Sequence, residues 1–236
     1  SLVLGAYARF LAGWWVPVMP PLLALVGAAT GVNTYLAHSA SQIRRTFGRY
    51  LSDQVVANLL DNPENLKLGG ENRVITILTS DLRGFTALSE QLRPEQVVDI
   101  LNLYLGFMSD IVNRYGGTID EFMGDGILVL FGAPNHQEDE PGRAVACASA
   151  MQAAMPEVNR VMRDRGFPEQ EMGIGINTGE VVVGNIGSER RTKYSVIGSA
   201  VNLAFRIESY TTGGQILISD APRQRVQCPL TIQGET

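Results

Sequence analysis

Charge is missing from one long part of this chain: between Phe10 and Ile43 there is no Asp, Glu, Lys or Arg. A surface helix needs a polar face, so this run is excluded as an ordinary amphipathic helix. Cysteine is nearly absent, and Cys147 and Cys228 lie far apart. That excludes a disulfide framework and a paired-cysteine zinc site, and it suits a reducing compartment. Basic runs are lacking beyond a short patch near Arg44, and the formal net charge is −5, which argues against a nucleic-acid partner. No G-x-x-x-x-G-K-[ST] occurs, and "GIGINTG" lacks the G-x-G-x-x-G order, so neither a P-loop nor a dinucleotide fingerprint is present. His38 and His136 have no neighbours that make a triad or a zinc site.

Within the uncharged run, "WWVPVMPPLLALVGAATGV" approaches the ~20 apolar residues that cross a bilayer. Trp14 and Trp15 stand at one end and Tyr35 near the other, as interfacial anchors do, and Pro17, Pro20 and Pro21 suit a helix start. Arg44, Arg45 and Arg49 follow, which places the C-terminal side in the cytoplasm. The competing reading is a buried core helix. Residues 1–40 are therefore expected to hold one or more membrane segments, with the chain an excerpt of a longer protein. Residues 41–72 read as an amphipathic connector helix with Phe47, Leu51, Val55, Leu59 and Leu60 on a stripe, broken at "DNPE". That stripe pairs two copies or packs on the chain's own domain.

From residue 73 to 236 the pattern is that of one α+β domain. "VITILTS" reads as a strand. A helical stretch starts near Leu88, resets at Pro94, continues through Val97, Leu101, Leu105, Met108 and Val112, and stops at Gly116-Gly117. "TIDEF" and "ILVLF" flank "MGDG" as a hairpin, and residues 138–164 read as a helix. "MGIGINT" and "EVVVGNI" are expected to form a second hairpin about Gly179, followed by a strand at "KYSVIG", a helix at "AVNLAFRIES" and a strand at "QILIS". The order predicts a ferredoxin-like α/β sandwich, a mostly antiparallel sheet with helices on one face.

Three places carry candidate chemistry. Asp81 ends an apolar strand before "LRGFT", where backbone N–H groups of Gly84, Phe85 and Thr86 open a helix. A carboxylate beside such N–H groups suits a metal-bound phosphate, and Thr86 also suits a plain N-cap. Asp125 sits in a turn between Gly124 and Gly126, with Asp120 and Glu121 just before it. The cluster is a solvated hairpin or, if the two strands are neighbours, a place where Asp81 and Asp125 meet to hold two divalent ions. Asn202 and Arg206 are four apart and share a helix face, fit for a ribose and a phosphoryl group or simply for water.

Together "TSDLRGFT", "DEFMGDGILVLFGAP", "GINTGEVVVGNIGS" and "YSVIGSAVNLAFRIES" resemble the class III nucleotide cyclase catalytic domain of adenylate and guanylate cyclases. The span and connector resemble the end of a CHASE2-type sensor. The resemblance implies a homodimer with its active sites at the interface. Asp81, Asp125 and the Leu82 carbonyl would hold two Mg²⁺ or Mn²⁺ ions per site, and the other chain would supply Asn202 and Arg206. ATP or GTP would be cyclised, with loss of pyrophosphate, by an enzyme at the cell membrane whose catalytic domain is cytoplasmic. The rival is a degenerate cyclase fold that senses nucleotide or dimerises. Diguanylate cyclases expect a GG(D/E)EF turn that "MGDG" does not supply.

Base identity falls on Glu121 and Ser195. The resemblance implies Lys at position 121 for adenine, and Glu stands there, as in guanylate cyclases. An ionised Glu only accepts, whereas guanine offers N1–H and an amino group, so Glu121 leans to GTP, while the resemblance itself leans to ATP, because bacterial members with a single span and sensor are mostly adenylate cyclases. Ser195, whose hydroxyl donates or accepts, does not arbitrate. Two departures are Ser199, where an acidic residue is common, and Phe205, a bulky neighbour expected to crowd Arg206.

Overall fold

The computed structural model describes residues 2–12, 23–32, 34–35, 68–188, 191–226 and 231–234. Contacts divide the chain into Ser1–Asp53 and Gln54–Thr236. In the first unit, helix α1 spans Leu2–Leu11, and residues 23–32 and 34–35 are helical. Thr30 and Thr34 return their hydroxyls to the carbonyls of Val26 and Thr30 at 2.8 and 2.9 Å, a local way to satisfy polar groups on an apolar helix. Among the described residues no helix is long and apolar enough to cross a membrane. Much of the expected span and all of the connector between residues 41 and 67 lie outside the described residues.

The second unit is built on a six-stranded sheet. Strand β1 is Gly69–Leu82, β2 Thr118–Met123, β3 Gly126–Phe131, β4 Met172–Ser188, β5 Arg191–Ile197 and β6 Ile216–Ile218. The order is β2-β3-β1-β4-β5, with β6 parallel to β4 and every other pairing antiparallel. The helices are α2 Phe85–Ser89, α3 Pro94–Arg114, α4 Glu140–Asp164, α5 Ser199–Ser209 and α6 Asp220–Arg225. The mostly antiparallel α+β class is as the sequence predicts. Strand β1 starts earlier than expected, so residues 69–72 belong to the sheet and not to a connector. They pair with Val182–Asn185 in a ribbon whose exposed first residues carry no hydrophobic signal.

Both faces of the sheet are covered, which corrects the expectation of helices on one face. Alternation along β1 sends Leu78 and Leu82 to a core shared with Ile100, Tyr104, Met108 and Val112 of α3 and with α4. It sends Ile75 and Ile77 to a second core with Leu128, Leu130, Val181, Val183 and Val196, closed by Ala200, Val201 and Ala204 of α5. The centre of the α3 stripe is Ile100–Tyr104–Met108–Val112 and not the Val97–Leu101–Leu105 row, which is only partly buried.

The predicted hairpin about Gly179 is a single 17-residue strand. Its glycines serve helix approach instead of a turn. A Cβ on Gly179 would lie 2.7 Å from Ala200 Cβ, and one on Gly175 would lie 2.4 Å from Glu208 N and 2.7 Å from the Ala204 carbonyl. The four-residue spacing of glycines on β4 and of Ala200 and Ala204 on α5 lets the helix backbone rest directly on the sheet. Asn177, between the two glycines, donates to the Ala200 carbonyl at 2.9 Å and accepts from Ser219 Oγ at 2.6 Å. Gly175→Ala is therefore expected to cost ~1–3 kcal/mol by lifting α5. Thermal unfolding checks this, and an unchanged midpoint contradicts the close contact.

Candidate active site

Strand β1 lies between β3 and β4, and its register sets the site. Ser80 pairs with Ile127 and Asp81 with Gly173. This brings the end of β1 beside the turn between β2 and β3. The turn is a two-residue loop, because Met123 pairs with Gly126, and Gly124 takes a positive φ of 66° that a side chain would resist. A Cβ on Gly126 would come 3.5 Å from Asp81 Oδ1, so the turn and the carboxylate are in contact. Asp125 Oδ2 accepts a hydrogen bond from the Leu82 N–H at 3.1 Å. Asp81, Leu82 and Asp125 thus meet as the sequence predicts. Below them, buried Tyr104 of α3 donates to Met172 Sδ at 3.1 Å.

Two carboxylates this close oppose each other. Burial, and then the charge of Asp125, push Asp81 from its ordinary 3.8 up to about 6, with Arg83 opposing. Hard oxygen donors whose charges repel are relieved by a divalent cation, so these residues fit one. Among the described residues no group of three or more His, Cys, Asp or Glu side chains is poised for a metal. An ion here would draw its remaining donors from backbone carbonyls or water.

Arg83 braces the site. Its N–H donates to the Glu171 carbonyl at 2.8 Å. Its guanidinium pairs with the Glu208 carboxylate and donates to the Glu208 carbonyl at 3.2 Å and to Thr211 Oγ1 at 2.9 Å. The residue after the Asp81–Leu82 pair is thereby tied to the C-terminal end of α5. Gly84, with φ 74°, is the N-cap of α2, and no side chain caps that helix, so Thr86 is not the N-cap. Phe85 is buried in the first core. α2 has only five residues.

Asn202 and Arg206 are exposed. They lie on the side of α5 opposite Ala200, Ala204 and Glu208, which are buried. The structure therefore turns them away from their own sheet. Phe205 packs against the second core, so its bulk is spent there and not on Arg206.

The base-reading candidates meet a residue that sequence reasoning missed. Ser195 Oγ donates to Asp120 Oδ2 at 3.0 Å, so the hydroxyl left open by the sequence acts as a donor. Lys193, two residues earlier on β5, contacts Asp120 Oδ2 at 3.3 Å and Glu121 Oε2 at 3.1 Å. β5 and β2 are opposite ends of the strand order, so these side-chain contacts bridge the two edge strands. Lys193 had no local signal; only its place in the same strand as Ser195, facing the acidic residues of β2, would have raised it.

A family profile described as "Adenylate and Guanylate cyclase catalytic domain" matches residues 70–233. The chain belongs to the adenylate and guanylate cyclase family. It carries the catalytic domain of these enzymes, and its fold matches theirs. The structure is similar to that of the guanylyl cyclase Cya2, with 62% identity, a TM-score of 0.69, and coverage of 71% of this chain and 85% of that one. The adenylyl cyclase CyaB from P. aeruginosa shows 42% identity, a TM-score of 0.64, and coverage of 66% and 82%. An adenylate cyclase of Anabaena cylindrica is 35% identical over 219 residues, which are 86% of this chain and 43% of that protein. The chain thus spans less than half of the curated relatives it matches.

The Asp81 shift gives a signed expectation for this cyclase domain. A carboxyl whose folded pKa is raised binds its proton more tightly when folded, so it costs stability as pH rises from about 4 through about 6. In EDTA, the melting temperature of Asp81→Asn minus that of wild type should grow across that window, and Mg²⁺ should raise the wild-type value selectively. A difference that stays constant with pH would contradict the strained pair.

Proposed function

We propose that this chain is a purine nucleotide cyclase that converts GTP, in preference to ATP, into the 3′,5′-cyclic nucleotide and pyrophosphate at a homodimer interface, in signal transduction. The observation that carries the reaction class is the contact of Asp81, Leu82 and Asp125 at the end of β1. The two carboxylates and the Leu82 carbonyl would hold Mg²⁺ or Mn²⁺, two ions per site. When bound, such ions acidify the ribose 3′-hydroxyl and offset charge on the α-phosphate and the leaving pyrophosphate. The N–H groups of Gly84, Phe85 and Thr86, directly after the metal strand, are assigned to phosphate.

The outward placement of Asn202 and Arg206 supports a site completed by a second copy. The partner subunit's Asn202 would orient the ribose, and the partner subunit's Arg206 would offset growing negative charge on the phosphoryl group. A site built this way works only when two copies meet. The uncharged stretch from residue 10 to 43, followed by Arg44, Arg45 and Arg49, supports anchoring at the cell membrane with a cytoplasmic catalytic domain.

Glu121 and Lys193 support the base preference. The Lys193 ammonium 3.1 Å away holds the Glu121 carboxylate, an acceptor for guanine N1–H and the 2-amino group. Lys193 carries three protons and uses two on Glu121 and Asp120, which leaves one for guanine O6. Adenine would set its N1 acceptor against Glu121, a penalty of about 1–3 kcal/mol. The name of the 62% identical relative, a guanylyl cyclase, points the same way.

Product analysis of purified dimer with Mg²⁺ and each triphosphate is expected to give cyclic GMP with kcat/KM about tenfold or more above that for ATP. Glu121→Lys should shift the preference toward ATP, and exclusive ATP use by the wild type would defeat the base assignment. Asp81→Ala should abolish cyclisation while the dimer, followed by light scattering, persists. Surviving activity would remove Asp81 from the metal site.

A further inference from the structure

Asp120 is an unusual residue for the middle of a strand. Its side chain is 3% exposed, it is charged, and it sits where β2 departs from regular pairing. Ile119 pairs with Val129 and Glu121 with Leu128, so Asp120 is the extra residue of a β-bulge. In a regular strand, neighbouring side chains point to opposite faces, and Asp120 and Glu121 could not share a partner. The bulge brings both carboxylates to one ammonium, Lys193 Nζ, at 3.3 and 3.1 Å. The same Asp120 oxygen also takes the Ser195 hydroxyl proton at 3.0 Å.

The three contacts have different standing. Glu121 is half exposed and Lys193 is 42% exposed, so a pair between them alone would be mobile and weakly held. Asp120 is buried, and of the two carboxylates it is the one also held by the Ser195 hydroxyl. Burial pushes its carboxyl up, while Lys193 and the Ser195 hydroxyl oppose that push. A buried carboxylate left without its cation is costly, so Asp120 demands that Lys193 remain near it.

We infer that Asp120 is a positioning residue for base selection: from its β-bulge it anchors Lys193 beside Glu121 and turns the Ser195 hydroxyl away from the base. It touches no substrate; its effect runs through Lys193. With the Ser195 proton committed to Asp120, the free polar hydrogen presented near the purine is that of Lys193. This rests on the GTP-preferring reading of Glu121 and deepens it.

The test is the ratio of kcat/KM for GTP to that for ATP, measured on the dimer with saturating Mg²⁺. The wild-type ratio, with its response to Glu121→Lys, tests the reading on which the inference rests. The change from wild type to Asp120→Asn tests the inference. Asn keeps the shape and an acceptor for Ser195 but loses the charge that holds Lys193, so the ratio should fall about tenfold, mainly through KM for GTP. Lys193→Met, at a half-exposed position that tolerates change, should lower the ratio by a similar factor, and the double variant should fall no further than either alone. A ratio unchanged in Asp120→Asn, even with a lowered melting temperature, reduces Asp120 to a structural residue and overturns the inference. So does an unchanged ratio in Lys193→Met, which decides the matter even where Asp120→Asn fails to fold. Additive losses in the double variant overturn it as well, because they would show that Asp120 acts by another route.

Discussion

Everything at this site depends on how β1 is held between β3 and β4. Ladders on both sides fix its register, and side chains on both its faces are buried in two separate cores. A slip by one residue would exchange the faces and send Asp81 to the other side of the sheet. The two cores make such a slip prohibitively costly, so the position of the Asp81 carboxylate is set by hydrophobic burial on both faces of its strand. The turn carrying Asp125 is short and glycine-flanked, and it comes to rest against the same strand end. Repulsion between the two carboxylates is thus imposed by the fold, and a bound cation would relieve it.

The second design element is the helix α5 lying directly on β4. Gly175 and Gly179 supply the flat surface, Ala200 and Ala204 the small contact, and Asn177 the polar anchor. With that face committed inward, Asn202 and Arg206 can only face outward. Arg83, directly after β1, then ties that strand end to the end of this helix. One chain therefore presents two polar groupings on one rigid frame: an acidic one at the end of β1, and an amide–guanidinium one on α5. In the dimer proposed here, each grouping completes a different active centre.

Much of this was legible in the sequence. A strand ending on Asp81, a glycine-flanked Asp125 between two apolar strands and a helix face bearing Asn202 and Arg206 are all local patterns, and the structure has each of those elements. What was not legible depends on contacts between distant segments. Gly179 looked like a turn because a glycine between two apolar runs usually is one, and only the approach of α5 reveals it as a packing surface. That α5 covers the second face was hidden for the same reason. The link from Asp120 to Lys193 and Ser195 spans more than seventy residues and passes through a β-bulge, which periodicity cannot register. Glu121 stood out by residue type, but the lysine that steadies it did not.

The claim on which the account turns is that Asp81 and Asp125 act together as a cation-binding pair. Electron paramagnetic resonance of Mn²⁺, titrated into the purified protein with a non-cyclisable GTP analogue, tests it directly. The account predicts tight binding by the wild type and its loss in Asp125→Asn, with the circular dichroism spectrum retained. Equal Mn²⁺ affinity in the two proteins would contradict it.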